Sequence, residues 1–373
     1  MSGSETGKII AWVGFRAFAF GFLSLLVCSC QTTQAPDASE TREPPIAPVA
    51  EPEPVSKPEP LPEPKPVEPI EPEKPEAPLI AGIARQASLV EAIAERLDDK
   101  RWVVRNDLGR ELILEESSRR ATLDGITLFL NEPFKRKLGG FALSDSDFES
   151  VLVASMLKAG GDLRSKTIAI DPGHGGSESG ARNEDLDVSE KDLNLDVSNR
   201  LKEELEELGY KVILTRYDDR PVSLEGRSLI ANRAKAGLFV SIHFNAAANK
   251  EAMGLETYVL TPPGAASTGD DRPGDDSHAW PGNDFDRLNF ELGFAIQKGL
   301  VEDLQRVDRG FKKARFKALK ALECPGALVE CGFLSHSKES LLVNTPVYRQ
   351  KLAESLARSI DAFAKPRLEG GDS

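Results

Sequence analysis

"TIAIDPGHGG", residues 167–176, joins a short apolar run to a turn made of proline, glycine and histidine. The run has the length of a buried strand, and the sequence DPG at 171–173 ends it. Leucine and valine then recur at helical spacing between residues 190 and 208, and Gly209 ends that helix. A buried strand followed by an amphipathic helix indicates an α/β fold.

The same alternation continues toward the end of the chain. Further strands are predicted at 211–215, 238–243, 255–260, 316–322 and 327–331. Further helices are predicted at 222–236 and 287–305, and apolar residues at 352–363 mark a closing helix. We therefore expect one α/β domain over residues 165–366, followed by a disordered tail at 367–373.

Polar side chains stand at the ends of these elements. His174 follows the first predicted strand, His243 ends the strand in LFVSIHFNA, and Glu190 begins the first helix. Functional groups in such folds gather at the carboxyl ends of the strands, so the two histidines are expected on one rim. Two imidazoles and one carboxylate would leave a fourth zinc position open for water, which is the catalytic arrangement.

A second carboxylate is needed to take a proton from that water and pass it to the leaving amine. Glu330 suits this role because it ends the apolar strand in GALVECGF, where an unpaired carboxylate is costly without a purpose. Two alternatives stay open on spacing alone. A histidine at a strand end is commonly structural, and Glu330 could instead pair with an arginine.

Several motifs stand in order over residues 166–364: IAIDPGHGG, SEKDLNL, LTR, GRSLIANRAKAGLFVSIHFNAA, GLETYVL, DRGFKKARF and PGALVECGFLSH. In this order they resemble the zinc-dependent N-acetylmuramoyl-L-alanine amidases, the bacterial cell-wall amidases. The resemblance implies an α/β fold with a mixed, roughly six-stranded sheet flanked by helices on both faces. It also implies Zn2+ as the cofactor, held by His174, Glu190 and His243, with Glu330 as the catalytic glutamate.

The implied reaction is hydrolysis of the amide bond between N-acetylmuramic acid and L-alanine in the stem peptides of peptidoglycan. Two other functions are considered: a zinc peptidase that acts on stem peptides, and a non-catalytic lipoprotein that binds the wall. Digestion products and the effect of replacing Glu330 would distinguish them.

The chain departs from the family pattern at residues 262–286, a long segment rich in Pro, Gly and Asp. Some relatives carry an insert near this point that covers the site and requires a protein activator. The segment is therefore interpreted as a lid, a substrate-binding loop or a solvent-exposed loop with no role in the site. We do not expect His278, which lies within it, to be a metal ligand. His336 replaces the family's usual Asn, and we expect a local role for it at the start of a helix.

The amino-terminal segments predict export and anchoring. Residues 1–30 combine a basic start with a short apolar run and end in VCSC, which resembles a lipoprotein cleavage site with Cys30 as the lipidated residue. The alternative is a plain secretory signal. Because Gln31 and Thr32, and not Asp, follow Cys30, we expect a periplasmic protein anchored in the outer membrane.

Residues 31–83 are predicted to be a disordered tether, because 15 prolines and 11 acidic residues lie between 36 and 78.

Residues 84–160 are predicted to form a small α+β accessory domain for positioning or wall binding. A helix is expected at 88–97, and strands at 102–104, 111–114 and 126–130.

The net charge of -13 argues against a nucleic-acid partner. Cys324 and Cys331 are expected to be buried free thiols, with a disulfide as the alternative. The basic run 309–317 is interpreted as a solvated face, or as a contact for stem-peptide carboxylates.

Overall fold

The computed structural model of the protein describes residues 82–137, 140–270 and 278–369. The predicted signal, lipidation site and tether therefore lie outside the described residues, except for residues 82 and 83. Within the described part, no helix is both long and apolar enough to cross a membrane.

The strands are β1 (Ala92–Arg96), β2 (Arg101–Asn106), β3 (Glu111–Glu115), β4 (Arg120–Leu123), β5 (Ile126–Phe129), β6 (Lys135–Lys137), β7 (Gly140–Ala142), β8 (Thr167–Pro172), β9 (Arg182–Asn183), β10 (Val188–Ser189), β11 (Lys211–Leu214), β12 (Leu238–Asn245), β13 (Leu255–Leu260), β14 (Asp308–Ala314) and β15 (Gly326–Phe333). The helices are α1 (Ile83–Ser88), α2 (Asp145–Asp147), α3 (Ala154–Met156), α4 (Glu190–Glu207), α5 (Leu224–Arg233), α6 (Asp286–Leu304), α7 (Lys317–Lys320), α8 (Ser337–Val343) and α9 (Pro346–Glu369). A π-helical stretch, Phe148–Val153, joins α2 to α3.

One large mixed sheet organises the described residues, in the strand order β1-β2-β3-β4-β5-β14-β13-β15-β12-β8-β11. The six strands from β14 to β11 belong to residues 165–366 and confirm the predicted six-stranded α/β sheet. Neighbours among β15, β12, β8 and β11 run parallel, whereas β13 pairs antiparallel with β15. The carboxyl ends of β8, β12 and β15 therefore meet at one edge.

Helices cover both faces of this sheet. The larger apolar core lies between the sheet and α4, α6 and α9, and a smaller cluster lies under α5 and α7. Within β12, Val240 and Ile242 point into the larger core, whereas Phe239 belongs to the smaller cluster. Because side chains alternate along a strand, His243 lies on the same face as Phe239.

The region predicted as an accessory domain extends the same sheet. β1 to β5 pair antiparallel in chain order, and Leu128 of β5 is the partner of Phe311 in β14. The predicted helix at 88–97 is wrong, since β1 occupies its place. The apolar residues Leu89, Ile93 and Leu97 recur at helical spacing, but they are 62%, 68% and 43% exposed, so this stripe has no core to bury against.

Three other expectations need correction. Residues 316–322, predicted as a strand, contain the short helix α7. The basic run, predicted to be a solvated face, forms most of β14, and Lys313 within it is only 5% exposed. Helix α9 continues to Glu369, three residues into the predicted tail, because Arg367 is buried and forms an ion pair with Glu291. Cys324 and Cys331 are free and buried, as expected.

Candidate active site

Three side chains meet at the edge where the parallel strands end. Glu190 Oε1 lies 3.1 Å from His174 Nε2 and 2.8 Å from His243 Nδ1. One potential ligand atom from each residue lies within 4.8 Å of the other two. Ligand atoms about 2.1 Å from a tetrahedral zinc ion would be separated by about 3.4 Å. The donor types and their spacing therefore fit a zinc ion.

Each of the three is delivered by a different element. His174 follows β8 and has a φ of 59°, a left-handed backbone conformation that is rare outside glycine. His243 lies near the end of β12, and Glu190 is the first residue of α4. A carboxylate is favoured at a helix start because the helix dipole is positive there.

The carboxylate of Glu190 is held on both oxygens. Its Oε2 accepts a hydrogen bond from the Ala181 amide at 2.8 Å, and its Oε1 accepts one from the Phe244 amide at 3.2 Å. Burial alone would raise the pKa of Glu190, but hydrogen bonds with His174 and His243 outweigh it and hold that pKa well below its usual value. The group is therefore a carboxylate, the form that binds a metal.

Two glycines leave room for the ligands. A Cβ added at Gly173 would lie 2.2 Å from Cε1 of His243. A Cβ at Gly180 would lie 2.4 Å from Oε2 of Glu190. Any side chain at either position would displace a candidate ligand. Glycine is therefore required at both positions, because a ligand side chain lies directly against the backbone there.

A buried pair of arginines fixes the loop that carries His174. Arg216 donates to the carbonyl oxygens of Pro172 and Gly173, at 2.9 and 2.8 Å. Arg227 donates to the carbonyl oxygens of Pro172 and His174, at 2.9 and 3.0 Å. Arg227 also forms an ion pair with the fully buried Asp171, at 2.7 Å. We call Asp171, Arg216 and Arg227 the arginine brace.

Glu330 lies beside the three-residue cluster. It is the register partner of His243 across the β12–β15 pair. Its Oε2 atom is buried and has no hydrogen-bond partner among the described residues. Burial, followed by the negative charges of Glu190 and Glu256, raises the pKa of Glu330 well above its usual value. Among the described residues no ion pair joins it to an arginine, so the pairing considered from the sequence is not found there.

A further carboxylate, Glu256, faces Glu330 from the next strand. The two are register partners across the β13–β15 pair, and Glu256 is only 2% exposed. Arg309 and Lys312 donate to its Oε1 at 2.7 and 2.6 Å, and the Tyr258 hydroxyl donates to its Oε2 at 2.8 Å. Two residues of the basic run thus neutralise a buried acid.

The cluster opens into a cavity of about 330 Å³. His174, His243 and Glu330 line it on the sheet side, and Leu224, Phe316 and Leu328 contribute apolar surface. A substrate group bound here would contact His174, His243 and Glu330 together.

A family model described as N-acetylmuramoyl-L-alanine amidase matches residues 168–362, over half of the chain. The chain belongs to this family. Membership identifies it as a cell-wall amide hydrolase of peptidoglycan, which agrees with the resemblance seen in the sequence motifs. It disfavours the two alternatives, a stem-peptide peptidase and a non-catalytic wall binder.

Several curated relatives are similar to the amidase region. The chain is 33% identical over 214 residues to the uncharacterized protein YqiI of Bacillus subtilis, covering 57% of this chain and 92% of that one. It is 33% identical to the amidase LytC of the same organism and 32% identical to the amidase AmiC of Escherichia coli, over 56% and 55% of this chain. It spans only 37% of LytC and 54% of AmiC.

Among solved structures, an N-acetylmuramoyl-L-alanine amidase from Clostridium difficile 630 is 29% identical, with a TM-score of 0.45. The match covers 53% of this chain and 96% of that one.

The structure brings His174, Glu190, His243 and Glu330 together, whereas the other two histidines lie elsewhere. His336 Nδ1 accepts a hydrogen bond from the Glu339 amide at the start of α8, the local role expected for it. His278 is exposed and packs edge-on against Trp280.

The sequence reasoning missed the arginine brace, the two close-approach glycines and Glu256. For Arg216 and Glu256 the available signal was a charged residue inside or directly after an apolar run, as in KVILTR at 211–216 and LETYVL at 255–260.

Proposed function

We propose that this amidase cleaves the bond between N-acetylmuramic acid and L-alanine at a zinc site formed by His174, Glu190 and His243, with Glu330 as the proton carrier. One observation supports this most directly. Glu190 Oε1 contacts a nitrogen of each histidine, while Glu330 is aligned with His243 on the neighbouring strand.

A zinc ion bound there would polarise the amide carbonyl and lower the pKa of a water molecule. Glu330 takes a proton from the attacking water and delivers it to the nitrogen of L-alanine as the carbon–nitrogen bond breaks. The water oxygen ends in the lactyl carboxylate of the muramic acid, and the peptide leaves with a free amino group. The Oε2 atom of Glu330 has no hydrogen-bond partner among the described residues and is available to accept this proton.

The remaining residues orient these groups. The amides of Ala181 and Phe244 hold the Glu190 carboxylate, and the arginine brace fixes the carbonyls beside His174. Glu256, which is paired with Arg309 and Lys312, lies across the β13–β15 pair from Glu330. Such supporting contacts commonly set metal affinity and ligand orientation.

We also propose that the chain is a periplasmic lipoprotein, anchored in the outer membrane through Cys30 and joined to its wall substrate by the tether at 31–83. The cell-wall activity of the family requires a place outside the cytoplasm, and the sequence of residues 1–30 supplies the export signal. The test is a mass measurement of the mature amino terminus. We expect an acylated Cys30, and an unmodified terminus would contradict the anchor.

Replacing Glu330 by glutamine tests the catalytic assignment. Glu330→Gln keeps the shape of the side chain but removes the proton carrier, so turnover of labelled peptidoglycan should fall by about 10²- to 10⁴-fold. The zinc content of the purified protein should stay at the wild-type level. Glu323→Gln, at an exposed position just before the same strand, is the matched control and should retain full turnover. Unchanged turnover in Glu330→Gln would exclude Glu330 as the proton carrier.

A further inference from the structure

A second cavity lies on the face of the sheet opposite Glu330. Its volume is about 300 Å³, within the lower part of the range for small-molecule sites. It lies where the π-helical stretch 148–153 approaches the start of α6 and the end of β13. Its lining includes Ser150, Leu260, Asp286, Phe290 and Lys313.

Lys313 is the unusual residue of this cavity. It is two positions from Phe311 on β14 and therefore shares its face, where Phe311 packs edge-on against Phe290 at 4.9 Å. This is the apolar face covered by α6. A lysine there is rare because burying an ammonium is costly unless it is paired.

The ammonium group is incompletely paired within the described residues. Its contact there is with Ser150 Oγ at 3.3 Å, and an ammonium has three donors. The carboxylates of Asp147 and Asp286 attract it without forming an ion pair. Burial accordingly lowers the pKa of Lys313 to about 8. The ammonium form of Lys313 therefore has donors left for a ligand.

The charges around the cavity balance. Lys313 and Arg287 contribute two positive charges, and Asp286 and Glu149 contribute two negative charges. A ligand that carried only a negative charge would leave the acidic residues without a partner, and a ligand that carried only a positive charge would leave the basic residues without one. A zwitterion, in contrast, would satisfy both signs, with its carboxylate on Lys313 and its ammonium on the acids.

The rest of the lining is apolar. Val259 and Phe290 contribute apolar surface from the sheet and α6, and Pro262 and Pro263 contribute more from the segment after β13. This apolar surface suits an aliphatic side chain of the ligand.

We propose that this cavity is a binding site for a short peptide with free termini and an aliphatic side chain. Lys313 binds its carboxylate and Asp286 its ammonium group. The site is separate from the candidate metal site, because Lys313 and Glu330 lie on opposite faces of the sheet. The proposal therefore does not depend on the catalytic assignment.

Calorimetric titration of the full chain with L-alanyl-L-leucine tests this site. The free dipeptide should bind, and its N-acetyl and C-terminal amide forms should each have a Kd at least tenfold higher. Similar Kd values for all three forms, or no binding of the free dipeptide, would overturn the proposal.

Two variants locate the binding. Lys313→Met fills the same space without a charge and should raise the Kd of the free dipeptide at least tenfold, while the Kd of its amide form stays unchanged. Glu330→Gln should leave the Kd of the free dipeptide at the wild-type value. Binding that is lost in Glu330→Gln but kept in Lys313→Met would place the peptide in the catalytic cavity and refute the site.

A folding control accompanies these measurements. The thermal unfolding midpoint of Lys313→Met should not fall, because the variant removes a buried charge. If it does fall, Asp286→Asn serves instead, since its side-chain oxygen can still accept from Asn283 as Asp286 does at 3.0 Å. That variant should bind the free dipeptide at least tenfold more weakly and the N-acetyl form unchanged, and wild-type affinity for the free dipeptide would contradict the proposal.

Discussion

At the scale of single residues, the candidate metal site depends on close approach between backbone and side chain. His174 adopts a left-handed backbone conformation that costs free energy, and such strain is concentrated at functional sites. Gly173, directly before it, leaves the space that the His243 ring occupies. The lack of a side chain at residue 173 therefore allows the His243 ring to take its position in the site.

Gly173→Ala tests this dependence. The added Cβ would lie 2.2 to 2.6 Å from three atoms of the His243 ring, so the ring must move. We expect zinc affinity to fall by about 10- to 100-fold, as for other losses of support around a metal ligand. Competition with a chromogenic chelator measures this affinity.

Gly160→Ala is the matched control, because nothing lies within 4 Å of a Cβ built there. It should bind zinc like the wild type. Wild-type affinity in Gly173→Ala would show that the ring of His243 does not need this space.

The proximity of His174, Glu190, His243 and Glu330 could be predicted from the sequence, because they lie at strand ends and at a helix start within motifs that resemble the family. Their supporting contacts could not. Arg227 meets Asp171 across 56 positions of sequence, and nothing local in helix α5 indicates that one of its arginines is buried. Contacts of this kind follow from the tertiary fold.

At the scale of elements, helix α5 links the smaller apolar cluster to the loop after β8. Ala231 of this helix packs in that cluster, while Arg227 reaches the buried Asp171 and two loop carbonyls. Losing one partner of a buried ion pair leaves the other charged and unpaired. The stability of the protein and the geometry of its site are therefore coupled through this helix.

Arg227→Met should destabilise the fold by about 3 to 5 kcal/mol, because it leaves Asp171 unpaired. Urea unfolding measures the change. Arg233→Met, at an exposed position on the same helix, should change the unfolding free energy by less than about 0.5 kcal/mol. Equal stability of the two variants would show that Arg227 is not needed to neutralise Asp171.

Secondary-structure elements could be predicted from the sequence where the apolar residues of the local pattern are also the residues that the fold buries. β13 and α4 lie within one residue of their predicted bounds, because each has an apolar face with a core to meet. β1 and β14 were not predicted. The apolar stripe of residues 89–97 is exposed instead of buried, and Arg309 and Lys312 of β14 are paired with Glu256, which is distant in sequence.

At the scale of the whole described molecule, the amino-terminal strands and the amidase region share one sheet and one core. Leu128 of β5 pairs with Phe311 of β14, and the Thr127 amide donates to Asp308 at 2.7 Å. The larger apolar core contains residues from both regions. The sequence suggested two domains because their patterns differ, but a shared core predicts that they unfold together.

Two tryptophans report on the two regions, Trp102 in β2 and Trp280 beside α6. With Trp12→Phe as background, Trp102→Phe and Trp280→Phe variants each leave one reporter. Urea unfolding followed by fluorescence should give the same midpoint for both, since one cooperative unit has a single transition. Two separate midpoints would show that residues 84–160 form an independent domain.

The central claim is metal-dependent cleavage next to L-alanine, and mass spectrometry of digested peptidoglycan tests it most directly. Purified wall incubated with the full chain should yield stem peptides with a free L-alanine amino group and glycan with a free lactyl carboxylate. A chelator should abolish both products, and added Zn2+ should restore them. New amino groups on D-amino acids, or release that continues undiminished with the chelator, would contradict the account.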